Sequence, residues 1–207
     1  DIDQNVWIGE PKAISKLNVK TGKLTVYPIT ERFKIDRDPP VNAIIQDSKG
    51  RIWFASNQAG FSLLNEERKK FEYYPLKSIN PNDVLRNRVR AIKEDDAGRL
   101  WLGTFDGLII FDTDSEYEIK IVKDHNNPYS ISDNGITSID ADSHGNFWLG
   151  MYYGGISYFD KNFNIFKHYQ YTGTSKGLSY NVISFITESE DGKIWIATDR
   201  GGLNLFD

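Results

Sequence analysis

The five tryptophans of this 207-residue chain recur at nearly constant intervals of 46, 48, 47 and 47 residues. A fixed period of this length is typical of repeat proteins, in which each repeat is one supersecondary unit that buries its apolar face against its neighbours. The chain is therefore predicted to be a run of similar units. The tryptophans are Trp7, Trp53, Trp101, Trp148 and Trp195.

A short frame recurs in front of the tryptophans. It has a leading Asp, a Gly three residues later and the Trp after a further three, as in Asp47–Trp53, Asp95–Trp101 and Asp142–Trp148. The Asp-x-x-Gly sequence has the composition of a tight turn, because Asp can accept hydrogen bonds from its own backbone and Gly can adopt a positive φ. The last copy has Ser189 in the leading position, and in the first copy Gln4 stands in place of the turn Gly.

Each frame lies within a set of four predicted strands. An apolar alternating segment precedes the turn, as in 89–92, and the Trp segment is the second strand. A third strand begins at a Gly, as in Gly107–Asp112, and the fourth is aromatic and polar, as in Ile165–Tyr169. Four strands in about 47 residues is typical of a propeller blade. We therefore predict an all-β fold of β-propeller blades, each with four antiparallel strands.

The pattern also predicts how the chain is divided. The chain could close as a ring of five blades with strands missing, or it could be an arc of a larger ring. A common closed ring of seven blades would need about 330 residues at this period, and we expect an arc of a larger propeller. The predicted units are a partial blade at 1–40, blades at 41–88, 89–135 and 136–181, and a partial blade at 182–207.

Composition excludes several classes of function. The 25 basic and 29 acidic residues give a net charge of −4 without a dominant basic block, which argues against a nucleic-acid partner. The absence of cysteine excludes disulfides and thiol catalysis. Apolar runs such as 108–111 are too short to cross a bilayer, so we expect no membrane contact in this segment. The three histidines lack a ligand spacing, and no metal or other cofactor is predicted.

No catalytic group is predicted either. The chain has no Gly-x-Ser-x-Gly sequence, and acidic pairs such as Asp95–Asp96 lie in turns. The tryptophans could stack on sugars, but a Trp at the same place in every repeat is more simply explained as the apolar filler between neighbouring sheets.

The loops between second and third strands differ from one repeat to the next. Because strands alternate in direction, these loops and the connections between blades share one face of the ring. Loops held by a rigid scaffold are where function concentrates, and aromatic rings mixed with amides and charges suit a sugar ligand. The alternative, that these are only solvent-facing loop residues, stays open. The predicted ligand-binding residues are Gln58, Phe105, Asp106, Tyr152, Tyr153, Asp199 and Arg200.

The segment 89–112, VRAIKEDDAGRLWLGTFDGLIIFD, resembles the two-component regulator propeller repeat, and 80–89 and 127–136 are similar to that family's loops between blades. Departures such as Ala55 and Ala197, which replace the usual Gly after the Trp strand, concern the regularity of the blades only. The resemblance implies a periplasmic sensor region of a bacterial hybrid two-component protein, whose histidine kinase lies outside this chain. It also implies an oligosaccharide ligand from polysaccharide breakdown, and contacts with a second copy or with neighbouring blades of the same polypeptide.

Two other functions remain open at this point. A propeller enzyme, either a sialidase-like glycosidase or a streptogramin-type lyase, would need Arg, Glu and His residues converging at the ring entrance, and the sequence does not assemble such a set. A scaffold for protein partners, as in WD-repeat propellers, is the third possibility.

Overall fold

The computed structural model describes residues 1–10, 13–29, 41–56, 60–74, 76–77, 88–174 and 176–206. These residues form eighteen β-strands in five antiparallel sheets, which confirms the predicted all-β class. They contain no helix, and hence no helix able to cross a membrane.

Three sheets have four strands, and the first and last have three. The first sheet comprises β1 (Asn5–Gly9), β2 (Ala13–Asn18) and β3 (Leu24–Pro28). The second comprises β4 (Val41–Gln46), β5 (Ile52–Ser56), β6 (Gly60–Asn65) and β7 (Lys70–Tyr73). The third comprises β8 (Val89–Glu94), β9 (Arg99–Thr104), β10 (Gly107–Asp112) and β11 (Glu118–Ile121). The fourth comprises β12 (Ile136–Ala141), β13 (Phe147–Met151), β14 (Ile156–Asp160) and β15 (Ile165–Tyr169), and the fifth β16 (Ile183–Glu188), β17 (Ile194–Thr198) and β18 (Gly202–Phe206).

Strands that follow one another in the chain are neighbours in each sheet, so every sheet is a simple meander. In the third sheet, Trp101 on β9 lies opposite Lys93 on β8 and Ile110 on β10. The first strands of the second to fifth sheets, β4, β8, β12 and β16, are called the innermost strands because they make the contacts between sheets. Each carries a bulge at the second or third residue. A bulge changes the direction of a side chain next to it, which matters for the site described below. The predicted boundaries between the repeats stay a prediction.

Successive sheets pack against one another through these innermost strands, with β4 beside β8, β8 beside β12 and β12 beside β16. Trp53, Trp101 and Trp148 fill the space between sheets. Trp53 of the second sheet is 1% exposed and belongs to a cluster with Leu100 and Phe111 of the third. Trp101 stacks on Phe147 of the fourth sheet with ring centroids 4.1 Å apart. Core packing, as the repeat pattern predicts, is therefore what these tryptophans do.

The Asp-x-x-Gly turns have the expected conformation, with φ of 75° at Gly98 and 62° at Gln4 in the Gly position of the first copy. The turn Asp also has a role that the sequence analysis missed. One oxygen of Asp95 accepts hydrogen bonds from the backbone N–H groups of Ala97 and Arg99, and the other accepts one from the indole N–H of Trp101 at 3.0 Å. The same indole bond is made by Trp7, Trp53 and Trp148. The Asp therefore satisfies the polar atom of a largely buried indole.

Candidate ligand-binding site

The loops between second and third strands are fastened to the connections between sheets. The backbone N–H of Tyr152 donates to the carbonyl of Gly135 at 2.7 Å, and that of Asp199 donates to Val182 at 2.8 Å. These hydrogen bonds place both kinds of segment on one face of the arc, as the alternation of strand direction predicts. We call this the loop face.

Three of the predicted residues form an aromatic cluster on the loop face, where the third and fourth sheets meet. The rings of Phe105 and Tyr152 meet edge to face with centroids 5.5 Å apart, and Tyr152 meets Tyr153 in the same way at 4.5 Å. Gly135 allows this approach, since a Cβ there would lie 3.0 Å from the Cβ of Tyr152 and 3.4 Å from the ring of Phe105. Tyr152 is 40% exposed and Tyr153 68%, so the cluster offers both aromatic surface and hydroxyl groups to a ligand.

The phenol groups of the cluster influence each other. The neighbouring Tyr152 side chain raises the pKa of the Tyr153 phenol, and the nearby Tyr180 and Asp133 add to the effect. Asp133 is held in place because its carboxylate accepts hydrogen bonds from the backbone N–H groups of Asn134 and Tyr153, at 2.7 Å and 3.0 Å. The phenol of Tyr153 is therefore protonated at neutral pH and able to donate to a ligand.

An arginine that the sequence analysis did not single out completes the cluster. The guanidinium carbon of Arg90, at the bulge of β8, lies 5.2 Å from the centroid of the Phe105 ring, within range of a cation–π interaction. Burial lowers the pKa of Arg90, and the positive charge of Arg88 lowers it further. The equivalent positions of the other innermost strands hold Asn42, Thr137 and Ser184. The variation that identified the loop residues would have identified this position too.

The remaining predicted residues lie elsewhere on the loops of the loop face or outside the described part. The carboxylate of Asp106 forms an ion pair with Lys120 at 2.5 Å. Asp199 and Arg200 form a weaker, exposed pair at 4.0 Å on the loop of the fifth sheet. Gln58 lies outside the described residues. The structure thus brings Phe105, Tyr152 and Tyr153 together and leaves Asp199 and Arg200 on the adjoining loop.

Within the described ranges, no group of three or more acidic or histidine side chains is arranged to hold a metal ion. His168 lies on β15, where burial lowers its pKa and its ring Nδ1 is 3.2 Å from the hydroxyl of Ser157. This contact lies within the fourth sheet and connects its two outer strands.

Comparison with known families gives a match in three segments of the chain. The sequence model of the two component regulator propeller family matches residues 36–58, 83–106 and 177–200. Two of these segments end at loop-face pairs, namely Phe105–Asp106 and Asp199–Arg200. No curated protein sequence matches the chain.

Solved structures share the fold. The extracellular domain of a proposed hybrid two component system of B. thetaiotaomicron matches with a TM-score of 0.76 and 22% identity, over 97% of this chain and 25% of that one. A second such domain from the same organism has a TM-score of 0.72 and 22% identity, over 98% and 25%. Virginiamycin B lyase from Staphylococcus aureus has a TM-score of 0.67 and 18% identity, over 100% and 67%. The chain spans about a quarter of the length of the first two, and at these identities the similarity shows the propeller fold alone.

Proposed function

Since this chain carries repeats of the two-component regulator propeller family, we propose that it is the sensor region of a bacterial hybrid two-component protein. In this proposal the region is periplasmic, binds an oligosaccharide on its loop face and catalyses no reaction, while a histidine kinase elsewhere in the polypeptide transmits the signal. The extracellular location of the structural neighbours supports the placement outside the cytoplasm. The proposal of an oligosaccharide ligand rests on one observation, the aromatic cluster of Phe105, Tyr152 and Tyr153.

The cluster has the chemistry that sugar recognition requires. Aromatic faces stack on the CH faces of a pyranose ring, while phenol hydroxyls exchange hydrogen bonds with the sugar hydroxyls. The loops that carry the rings are fixed by hydrogen bonds to neighbouring segments, such as that from Tyr153 to Asp133 at 3.0 Å. A site that is already ordered loses little conformational entropy when it binds.

Two carboxylates beside the cluster make contacts with neighbouring groups. Asp106 is in an ion pair with Lys120, and Asp133 accepts two backbone hydrogen bonds. These contacts hold the loops beside the cluster in place, which gives both carboxylates a structural role in the site. The similarity to virginiamycin B lyase is one of fold and carries no activity over to this chain.

The outward faces of the first and fifth sheets support contacts with further blades or with a second copy. Leu203 is 63% exposed and Phe185 60%, on the same sheet as Trp195. On the first sheet, Val6 is 47% exposed and Val26 53%. Apolar side chains at such positions are covered by the neighbouring sheet elsewhere in the arc, so we propose that blades of the same polypeptide, or of a partner copy, cover them here.

A thermal-shift series with a panel of oligosaccharides released from plant and host polysaccharides tests the proposal. A ligand that binds only the native state at 100 times its Kd adds about 2.7 kcal/mol to the stability and raises Tm. We expect Tyr153→Ala to lower the affinity by about tenfold or more. Tyr117→Ala is the matched control, because Tyr117 is 65% exposed and lies in the turn after β10, on the opposite face. No shift with any oligosaccharide, or equal binding by both variants, would contradict the proposed function.

A further inference from the structure

Arg88 and Arg90 differ from the other described arginines. Four others each lie within 4.0 Å of a carboxylate: Arg51 with Asp47, Arg68 with Glu72, Arg99 with Asp95 and Arg200 with Asp199. In the part of the chain that the structure describes, Arg88 and Arg90 have no such ion pair. They are two residues apart, and Arg90 lies over the ring of Phe105.

Both side chains are partly buried, and one has an unsatisfied donor. The Nε atom of Arg88 is buried without a hydrogen-bond partner among the described residues. Two neighbouring positive charges, partly removed from water and without a counter-charge, cost free energy. An anion bound between them would offset this cost, since it supplies the missing charge and accepts from the unsatisfied N–H.

The fold itself does not require cations at these positions. Asn42, which occupies the position of Arg90 in the second sheet, donates to the carbonyl of Val89 at 2.9 Å. Thr137 does the same in the fourth sheet, donating to Ile183 at 2.5 Å. Short neutral side chains thus serve the packing between innermost strands. An arginine at this position therefore indicates a task other than packing.

We propose that Arg88 and Arg90 bind an anionic group of the ligand, either the carboxylate of a uronic acid or a sulfate ester. This inference rests on the proposed carbohydrate function, because it assigns a charge to the same ligand. The guanidinium group suits either anion, since its planar N–H donors can bind two oxygens at once. The sugar ring that carries the anion would then stack beside Phe105 and Tyr152.

The test measures affinities by calorimetry for matched pairs of probes. One pair is trigalacturonate and its full methyl ester, and the other is a sulfated galactotetraose and the unsulfated form. We expect the anionic member of one pair to bind at least about tenfold more tightly than its neutral partner. Arg88→Gln and Arg90→Gln should each lower that affinity by about 10- to 100-fold and remove the preference. Arg68→Gln, at an exposed site in another sheet, should leave the affinity for the anionic probe and the preference for it unchanged.

Thermal melts without ligand separate a binding role from a structural one. If Arg88 supports the fold, Arg88→Gln lowers Tm, whereas removal of an unpaired, partly buried charge leaves Tm unchanged or raises it. Inorganic sulfate, compared with chloride at constant ionic strength, provides a further probe. It should raise the Tm of the wild type and of Arg68→Gln, and not that of the two site variants.

The outcomes distinguish this inference from the proposed function. Equal affinity for the anionic and neutral members of both pairs overturns the inference, and the sugar function stands if Tyr153→Ala still weakens that binding. If no oligosaccharide binds but sulfate stabilises the protein through Arg88 and Arg90, the anion site stands and the sugar function falls. If no oligosaccharide binds and sulfate acts equally on all variants, both are wrong.

Discussion

Trp101 and Trp195 occupy the same position of the repeat, yet their surroundings differ. Trp101 is 2% exposed, stacks on Phe147 of the next sheet and donates its indole N–H to Asp95. Trp195 is 36% exposed, and its turn begins with Ser189 in place of the Asp. The comparison shows that the frame determines the turn and the strand, whereas the neighbouring sheet determines whether the tryptophan is buried.

The two turns themselves are nearly identical. φ is 75° at Gly98 and 80° at Gly192, and the leading residue donates its N–H across the turn at 2.9 Å and 2.8 Å respectively. The hydroxyl of Ser189 donates within its own turn, to the carboxylate of Asp191. The turn conformation therefore does not depend on the Asp. What the Asp adds is the acceptor for a buried indole N–H.

The largest expected effect is that of removing a buried indole. Trp101→Ala should lower the free energy of unfolding by about 3–5 kcal/mol, because it leaves a cavity between two sheets and an acceptor on Asp95 without its donor. Trp195→Ala should cost about 1 kcal/mol, since part of that side chain is already in water. Urea unfolding followed by circular dichroism measures both. Equal losses would show that the frame, and not the neighbouring sheet, sets the energetic importance of the Trp.

A smaller effect is expected at the leading residue of the turn. Asp95→Ala should cost about 2–3 kcal/mol, because a nearly buried indole N–H and two backbone N–H groups lose their acceptor. Ser189→Ala, the matched change in the last turn, should cost less than about 1 kcal/mol, since it removes no bond to an indole. The same urea measurement compares them. A loss for Ser189→Ala as large as that for Asp95→Ala would contradict the assigned role of the Asp.

A hydrogen bond between neighbouring sheets sharpens the comparison, because it is present both where the second sheet meets the third and where the fourth meets the fifth. The carboxylate of Glu94 accepts from the N–H and hydroxyl of Ser48 in the preceding sheet, both at 2.7 Å, and Glu188 does the same with Ser143 at 2.8 Å and 2.9 Å. Glu94→Ala and Glu188→Ala should therefore cost about 1 kcal/mol each.

Between the third and fourth sheets, Asp96 occupies the position of Ser48 and Ala141 that of Glu94. Ala141 has no carboxylate, so the hydrogen bond cannot form there. Ala141→Ser is a suitable control and should change the stability little, because the carboxylate of Asp96 is 89% exposed. If Glu188→Ala leaves the free energy of unfolding unchanged while Glu94→Ala lowers it, the contacts that hold the last sheet differ from those that hold the third.

The smallest expected effect is a gain. Ser189→Asp combined with Asp191→Ala gives the last turn the pattern of Asp95 and Ala97, and should supply an acceptor for the Trp195 indole. We expect about 0.5 kcal/mol of added stability, since the indole there is partly exposed and can already bond to water. Asp191→Ala alone is the control. No difference between the two variants would show that the acceptor matters only where the indole is buried.

The fold was largely predictable because its signals are local. Strand alternation, a Gly with positive φ and a Trp at a fixed position each act within a few residues, and all are repeated. The strand β11 (Glu118–Ile121) was not identified individually, because its sequence has no aromatic residue like those that mark the fourth strands of other repeats.

The candidate site was predictable in part. Phe105, Tyr152 and Tyr153 were singled out because they vary within a constant frame, and the structure places their rings in contact. Their role in ligand binding stays a prediction. Arg90 was missed because the innermost strand was treated as scaffold only, and Arg88, the residue before that strand, was not singled out. The contributions of Asp106, Asp199 and Arg200 stay predictions, and so does that of Gln58, which lies outside the described residues.

The sequence alone determined the repeat, its four-stranded unit and the face on which variable loops gather, because these follow from periodicity along the chain. Only the tertiary structure decided which side chains meet. Phe105 and Tyr152 are 47 positions apart, and whether their rings touch depends on how two sheets pack. Likewise, only the packed structure shows that Arg90 lies over the Phe105 ring and that the Nε of Arg88 is buried without a hydrogen-bond partner among the described residues.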